Sequence, residues 1–224
     1  MKFYSIAIDG PSGAGKSTLA RRMAGVLGFL YVDTGAIYRT VALNAKRNGA
    51  DPGKREEVIP LLSDLDIRMA YGQDGLQHMY LGDEDVTEAI RVHAVSQLAS
   101  QVAAIPEVRT FLLDYQRKLA QEHNVVMDGR DIGTVVLPEA EVKIFLTASA
   151  EVRAKRRLLE LEQRGQRADY DTILRDIEMR DEQDRTRAIA PLRQAEDAVR
   201  VDTSDLTLEE SLQRMLEIAK ERLG

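Results

Sequence analysis

Eight residues near the start of the chain, Gly10-Pro11-Ser12-Gly13-Ala14-Gly15-Lys16-Ser17, combine glycines, a lysine and a hydroxyl at a spacing suited to the phosphates of a nucleoside triphosphate. Gly10, Gly13 and Gly15 lack Cβ atoms, so the backbone there can turn its N–H groups inward and lie against phosphate oxygens. Lys16 adds a point charge for the β- and γ-phosphates. Ser17 can place its hydroxyl on a magnesium ion, and Thr18 follows it in a helix running through Leu19, Met23 and Leu27, whose positive end faces the anion. The apolar run Phe3-Tyr4-Ser5-Ile6-Ala7-Ile8 supplies the strand that a phosphate-binding loop needs in front of it.

A loop of this kind says only that a triphosphate is held, so other charged residues must decide the chemistry. Arg39 follows an apolar run in Asp33-Thr34-Gly35-Ala36-Ile37-Tyr38-Arg39. It reads equally as a substrate contact and as a helix residue laying its stem over apolar surface. Further on, Asp128, Arg130 and Asp131 alternate in charge beside Gly129 and Gly133. A carboxylate directly after an apolar strand can hold the hydration shell of Mg²⁺, which points to Asp128, and Arg130 could grip a phosphate with two parallel hydrogen bonds. Arg153 and Arg157 stand four residues apart, hence on one helical face, and Arg180, Asp184 and Arg187 share a face through steps of four and three. Such a run also describes a solvated helix laced with weak ion pairs. Phosphoryl transfer between two anionic phosphates, however, calls for several arginines that close over the reacting groups and exclude water. The three histidines, His78, His93 and His123, lie away from strand ends and read as surface or partly buried residues. No base is required if the acceptor is a phosphate monoester, whose second pKa of about 6 leaves it largely dianionic at neutral pH; a hydroxyl acceptor would need one.

Composition narrows the classes. A net charge of −6 over 224 residues is unsuited to a nucleic-acid binder, which needs basic surface to displace counterions. There is no cysteine, so disulfides, thiolate zinc sites and thiol nucleophiles are excluded, in keeping with a reducing cytoplasm. The N-terminal apolar run ends at Asp9-Gly10 and reads as a core strand rather than a signal peptide, and no stretch approaches the ~18 apolar residues of a membrane span. The absence of a heptad pattern or large apolar stripe suggests a monomer.

The elements that must position these residues alternate. Apolar runs at Tyr4 to Ile8, Phe29 to Val32, Val125 to Met127, Val142 to Leu146 and Val199 to Val201 are short and separated by helical patterns. This predicts an α/β fold with a five-stranded parallel sheet, helices on both faces and ligands at the carboxyl ends of the strands, where Asp9, Asp33 and Asp128 to Asp131 fall. Between Asp64 and Arg91 the period changes: Leu65, Ile67 and Met69 alternate, Gly72 to Gly75 supply a turn, and Met79 to Leu81 precede a second turn at Gly82-Asp83, predicting a small antiparallel insertion. Helices are expected from Val92 through Ala104, again after Pro106, and over most of Ala150 to Ala190 with a break near Gly165. A last helix is announced by the capping box Thr207-x-x-Glu210.

Taken together, the segments IDGPSGAGKS, VDTGAIYR, SQVAAIPEVR, DGRDIGTVV, VKIFLTAS and RDEQDRTRAIAPL closely resemble bacterial cytidylate kinases, and the match runs through nearly the whole chain. The resemblance implies the P-loop nucleoside monophosphate kinase fold in a single domain, with a core at 1–63, 93–150 and 190–224, a monophosphate-binding insertion at about 64–92 and a short helical lid at about 151–189. It implies transfer of phosphate from ATP to CMP and dCMP, with Mg²⁺ as cofactor. By motif, Gly10 to Thr18 would bind ATP together with Arg153 and Arg157. Ser100, Arg109 and Asp131 would address cytosine, Asp184 and Arg187 the ribose, and Arg39, Arg130 and Arg187 the acceptor phosphate. Arg180 would join Lys16 on the transferring group, and Thr34 stands where some relatives carry serine. Asp131 suits cytosine because the base offers an amino donor where uracil has a carbonyl oxygen that a carboxylate would repel. Other small acceptors, such as UMP, AMP or shikimate, and a nucleotide-gated switch are the competing readings. The switch is disfavoured because no Asn-Lys-x-Asp motif occurs.

Overall fold

The computed structural model describes residues 2–72, 76–163 and 165–224. In chain order the elements are β1 (Ser5–Asp9), α1 (Lys16–Leu27), β2 (Leu30–Asp33), α2 (Thr34–Arg47), α3 (Arg55–Val58), β3 (Ile67–Tyr71), β4 (Gln77–Leu81), β5 (Glu84–Asp85), α4 (His93–Val102), α5 (Pro106–Glu122), β6 (Val125–Gly129), β7 (Val142–Thr147), α6 (Ala150–Gln163), α7 (Tyr170–Thr186), β8 (Val199–Asp202) and α8 (Leu208–Leu223). They fall into two compact units, Met1–Tyr31 with Ala120–Gly224, and Val32–Leu119.

The first unit is built on the five-stranded parallel sheet, in the order β2-β6-β1-β7-β8. β1 pairs in parallel with β6 and β7, and β8 with β7. Short continuous apolar strands behave this way because both faces of a parallel sheet are covered. On one face Ile6, Ile8, Ile144 and Leu146 pack against Leu19 and Met23 of α1 and Leu212, Met215 and Ile218 of α8. Residues of the opposite face, Ala7, Val125 and Met127, are equally buried. α8 starts where the sequence places it: Thr207 accepts from the Glu210 N–H, and the Glu210 carboxylate accepts from the Thr207 N–H, the capping box complete. α6 and α7 form a hairpin held by Ala154, Ile173 and Ile177, with Gly165 in the left-handed region between them.

The second unit carries the predicted antiparallel insertion as a three-stranded sheet, β3-β4-β5, with Met69 opposite Met79. Of the predicted turn from Gly72 to Gly75, residues 73–75 lie outside the described residues. The tight turn at Gly82-Asp83 is present, with Gly82 at positive φ. Pro106 does not merely break a helix but opens the next one, α5, where its missing N–H costs nothing. Among the described residues no helix is long and apolar enough to cross a membrane.

Candidate active site

In the first unit the phosphate-binding loop leaves the carboxyl end of β1. Gly10 has φ +153°, and a Cβ there would stand 1.9 Å from the Leu146 carbonyl oxygen of the neighbouring strand, so only glycine fits. Gly13 and Gly15 also have positive φ. The Lys16 side chain is buried and curls back so that Nζ donates to the Pro11 carbonyl at 2.7 Å. Burial pulls its pKa down to about 7, aided by the charge of Arg130 and opposed by Asp128, Asp184 and Asp9. A triphosphate arriving in the loop would hold that ammonium charged.

Ser17 Oγ donates to Asp128 Oδ2 at 3.0 Å, and Tyr31 donates its hydroxyl to Asp128 Oδ1 at 2.9 Å. The two residues expected at a metal are thus brought together from opposite halves of the sequence. Among the described residues no cluster of three or more His, Cys, Asp or Glu side chains could hold a metal ion unaided. A hydroxyl beside one carboxylate, both hard oxygen donors, fits an ion such as Mg²⁺ that keeps several waters and takes the rest of its shell from substrate phosphates.

At the end of β6, Arg130 donates from Nε to Asp184 Oδ2 at 2.7 Å, across from α7. Burial pushes the Asp184 carboxyl up, but Arg130, by charge and hydrogen bond, and then Arg180 and Arg187 hold it below the ordinary value. Arg187 donates from Nη2 to Asp131 Oδ1 at 3.3 Å and from Nε to the Ala190 carbonyl at 2.6 Å. Arg187 keeps the helical spacing predicted for it, since its N–H still reaches the Gln183 carbonyl at 3.1 Å, but the helix stops there. α7 ends at Thr186, and Arg187 is its C-cap, with ψ 137°. The chain reverses there because Ala190 takes a positive φ ahead of Pro191, and Leu192 N–H returns to the Asp184 carbonyl at 2.7 Å.

Arg153 and Arg157, expected to share a face, have different surroundings. Arg157 pairs with Glu160 at the surface. Arg153 is buried and donates to the Ala148 carbonyl, to the Ser12 carbonyl in the phosphate loop and, through both terminal nitrogens, to Asp181 at 3.0 and 2.5 Å. Arg153 and Asp181 also line a cavity of about 340 Å³ with Pro11, Phe145, Glu178 and Arg185. Sequence reasoning assigned no role to Asp181 or Tyr31, whose partners lie 28 and 97 residues away, and it noted Asp9 only as a polar strand end. Asp9 is buried and accepts from the N–H groups of Ile132 and Gly133, at 2.7 Å each. Burial raises its pKa to about 6 against those two hydrogen bonds.

In the second unit, Asp33 caps α2 by accepting from the Ala36 N–H and takes Arg39 Nη2 on its other oxygen at 2.9 Å. Thr34 is buried in the first turn of that helix. Arg109 is buried, donates to the Ala103 carbonyl and lies over the Tyr38 ring at 5.7 Å. Ser100 is half-buried near the end of α4.

Loop, lysine, hydroxyl–carboxylate pair and arginine cluster together describe a phosphoryl-transfer centre, and comparison with known proteins agrees. The cytidylate kinase family model matches residues 6–221. The chain is similar to the cytidylate kinase of Caldicellulosiruptor bescii, 51% identical over 97% of this chain and 96% of that protein. It is also similar to the cytidylate kinase of Carboxydothermus hydrogenoformans, 52% identical over 95% and 96%. A solved structure of an uncharacterized protein from Eubacterium ventriosum shares the fold, with TM-score 0.53 at 15% identity over 99% of this chain and 100% of that one. With a family match over residues 6–221 and relatives about half identical over nearly the whole chain, the chain belongs to the cytidylate kinase family.

Proposed function

We propose that this protein transfers the γ-phosphoryl group of ATP directly to CMP and dCMP, giving ADP with CDP or dCDP. The observation that carries the reading is the convergence around Lys16 of Asp128, Arg130 and Asp184, charges drawn from the end of β6 and from α7. That set holds no histidine, and an acceptor that is already a dianion needs none.

The backbone of Gly10 to Ser17 grips the donor phosphates, with Thr18 behind it, and Lys16 leaves Pro11 to follow the transferring group. Arg180 stands beside it, and Arg130 and Arg187 neutralise the acceptor phosphate. Ser17 and Asp128 would hold Mg²⁺, Asp128 through water; bound there, the ion supplies charge neutralisation between the phosphates. Asp131 accepts from the cytosine amino group, while Asp184 and Arg187 take the ribose hydroxyls. In the second unit, Arg39 is assigned to the acceptor phosphate and Ser100 and Arg109 to the base, with Thr34 nearby in sequence. Arg153 and Arg157 are assigned to ATP. The corresponding organisation is a core at 1–63, 93–150 and 190–224, a monophosphate-binding insertion at 64–92 and a lid at 151–189, working as a cytoplasmic monomer.

The test is steady-state ADP formation from Mg²⁺-ATP with CMP, dCMP, UMP, AMP or no acceptor. Fast turnover confined to CMP and dCMP is expected. Equal rates with UMP, or hydrolysis indifferent to the acceptor, would mean the phosphate loop is read correctly and the substrate is not. Lys16→Ala should lower turnover by about 10²–10³, the usual cost of deleting one charge-stabilising donor.

A further inference from the structure

Where β6 leaves the sheet, its backbone loses its ladder partners, and every buried N–H beyond that point needs another acceptor. The register places Gly129, the last residue of β6, beside Asp9, the last of β1. Two and three residues past Arg130, Ile132 and Gly133 are buried, and Asp9 takes both of their N–H groups, one on each carboxylate oxygen at 2.7 Å. Short paired bonds to a carboxylate fix orientation as well as distance.

What they fix is the turn that carries Arg130 and Asp131. Asp131 has φ −146° and ψ 27°, outside the helical region. Beyond it the chain makes one wide turn, in which Val136 N–H reaches the Asp131 carbonyl at 3.2 Å and Leu137 N–H reaches that of Ile132 at 2.7 Å. The Asp131 side chain is met by Arg187, while its backbone is set by the two bonds to Asp9 immediately after it. The space is closely filled as well: a Cβ on Gly133 would come within 3.4 Å of Asp9 Oδ2 and 3.2 Å of Lys143 Cδ. Asp9 is also the residue before Gly10, so the phosphate loop and the Arg130–Asp131 turn leave from one point.

Both oxygens of Asp9 are occupied and the residue is only 4% exposed, so it has no free surface for a substrate. We infer that Asp9 is a positioning residue, which holds the Arg130–Asp131 turn in register with the phosphate loop and thereby sets acceptor affinity and the preference for cytosine over uracil. This inference rests on the function proposed above.

The test is Asp9→Asn in the full chain. The amide keeps the size of the carboxylate but turns an N–H₂ toward one of the two backbone donors, so at least one of them loses its acceptor. KM for CMP is expected to rise about tenfold to a hundredfold and the CMP-to-UMP ratio of kcat/KM to shrink about tenfold, as for a misplacement near 1 Å, while KM for ATP stays within about twofold. A variant that only loosened the fold would lower both substrates' use together and leave the base preference intact; that result, or an unchanged KM for CMP, overturns the inference. Amide hydrogen exchange supplies a readout apart from catalysis. In the wild-type protein Ile132 and Gly133 should be protected like the strand amides of β1 and β6, and in the variant at least one should exchange about tenfold faster or more. Were Asp9→Asn not to fold, exchange of these two wild-type amides at the rate of exposed loop amides would overturn the anchor, and protection equal to the strands would uphold it. Wild-type protein that forms no ADP with CMP would refute the proposed function instead, and the exchange measurement would still decide whether Asp9 anchors the turn.

Discussion

Gly10→Ala and Gly25→Ala are the same chemical change in one protein, yet they should act with opposite sign. At Gly10 the new methyl would stand 1.9 Å from the Leu146 carbonyl oxygen. A carbon and a carbonyl oxygen approach comfortably only to about 3.3 Å, so the loop or β7 must retreat by more than an ångström. The obstacle is backbone, and no rotamer change relieves it. The φ of +153° adds strain of about 1–3 kcal/mol for a residue with a side chain. Together these put the loss at about 3 kcal/mol or more, within the range of severe single substitutions. The displaced atoms are those that would face the β-phosphate, and a shift of 1 Å at a reacting centre costs about 10²-fold in rate. Gly25 lies inside α1, and no atom stands within 4 Å of the place its methyl group would take, so alanine there should stabilise by about 0.5–1 kcal/mol through helix propensity alone. Urea unfolding of the two variants and the wild type, with turnover at saturating ATP, checks both. Gly10→Ala with wild-type stability and turnover would refute the reasoning, because it would mean that β7 does not hold the loop's first residue as described.

Asp184→Ala should cost about 3 kcal/mol, the lower end for breaking a buried pair because Arg130 keeps some solvent, and adding Arg130→Met should restore part of it; a loss under about 1 kcal/mol in thermal unfolding would contradict this. Thr207→Ala removes half of the α8 capping box and should cost about 1 kcal/mol without changing turnover, checked by urea midpoint and activity together. Asp9 has its folded pKa raised from 3.8 to about 6, so below 3.8 its proton is bound in both states and its full contribution is present. As pH rises through that window the unfolded chain ionises first, and wild-type stability relative to Asp9→Asn should fall by about 2 kcal/mol between pH 4 and 6.5. A difference flat with pH would show that the carboxyl titrates normally.

The phosphate loop was legible because everything that specifies it is local: an apolar run, glycines at set intervals, then a helix. The five strands were legible for the same reason, and their alternation with helices fixed the kind of sheet. What could not be read were pairings set by strand register and by the α6–α7 hairpin. Asp9 meets Ile132 and Gly133 only because β1 lies beside β6, and Tyr31 meets Asp128 across a comparable distance in sequence. Arg153 and Arg157 look equivalent on a helical wheel, but only Arg153 faces Asp181 and the phosphate loop. The reversal after Arg187 is set by Ala190 at positive φ and by the Leu192 N–H on the Asp184 carbonyl, of which only Pro191 was a signal in the sequence.

The central place of β1 has a consequence for synthesis. It is made before the other four strands of its sheet, yet its neighbours begin 120 and 136 residues later: the Tyr4 N–H is bound by Asn124 and the Ser5 N–H by Glu141. Until the ribosome has passed those residues, Ile6 and Ile8 have no strand on either side, and the loop that follows them has no frame. Such distant pairing makes folding slow and leaves an apolar strand uncovered meanwhile. In a nascent chain the loop after β1 and the turn after β6 are therefore framed only late in translation, and a truncated N-terminal half lacks that frame.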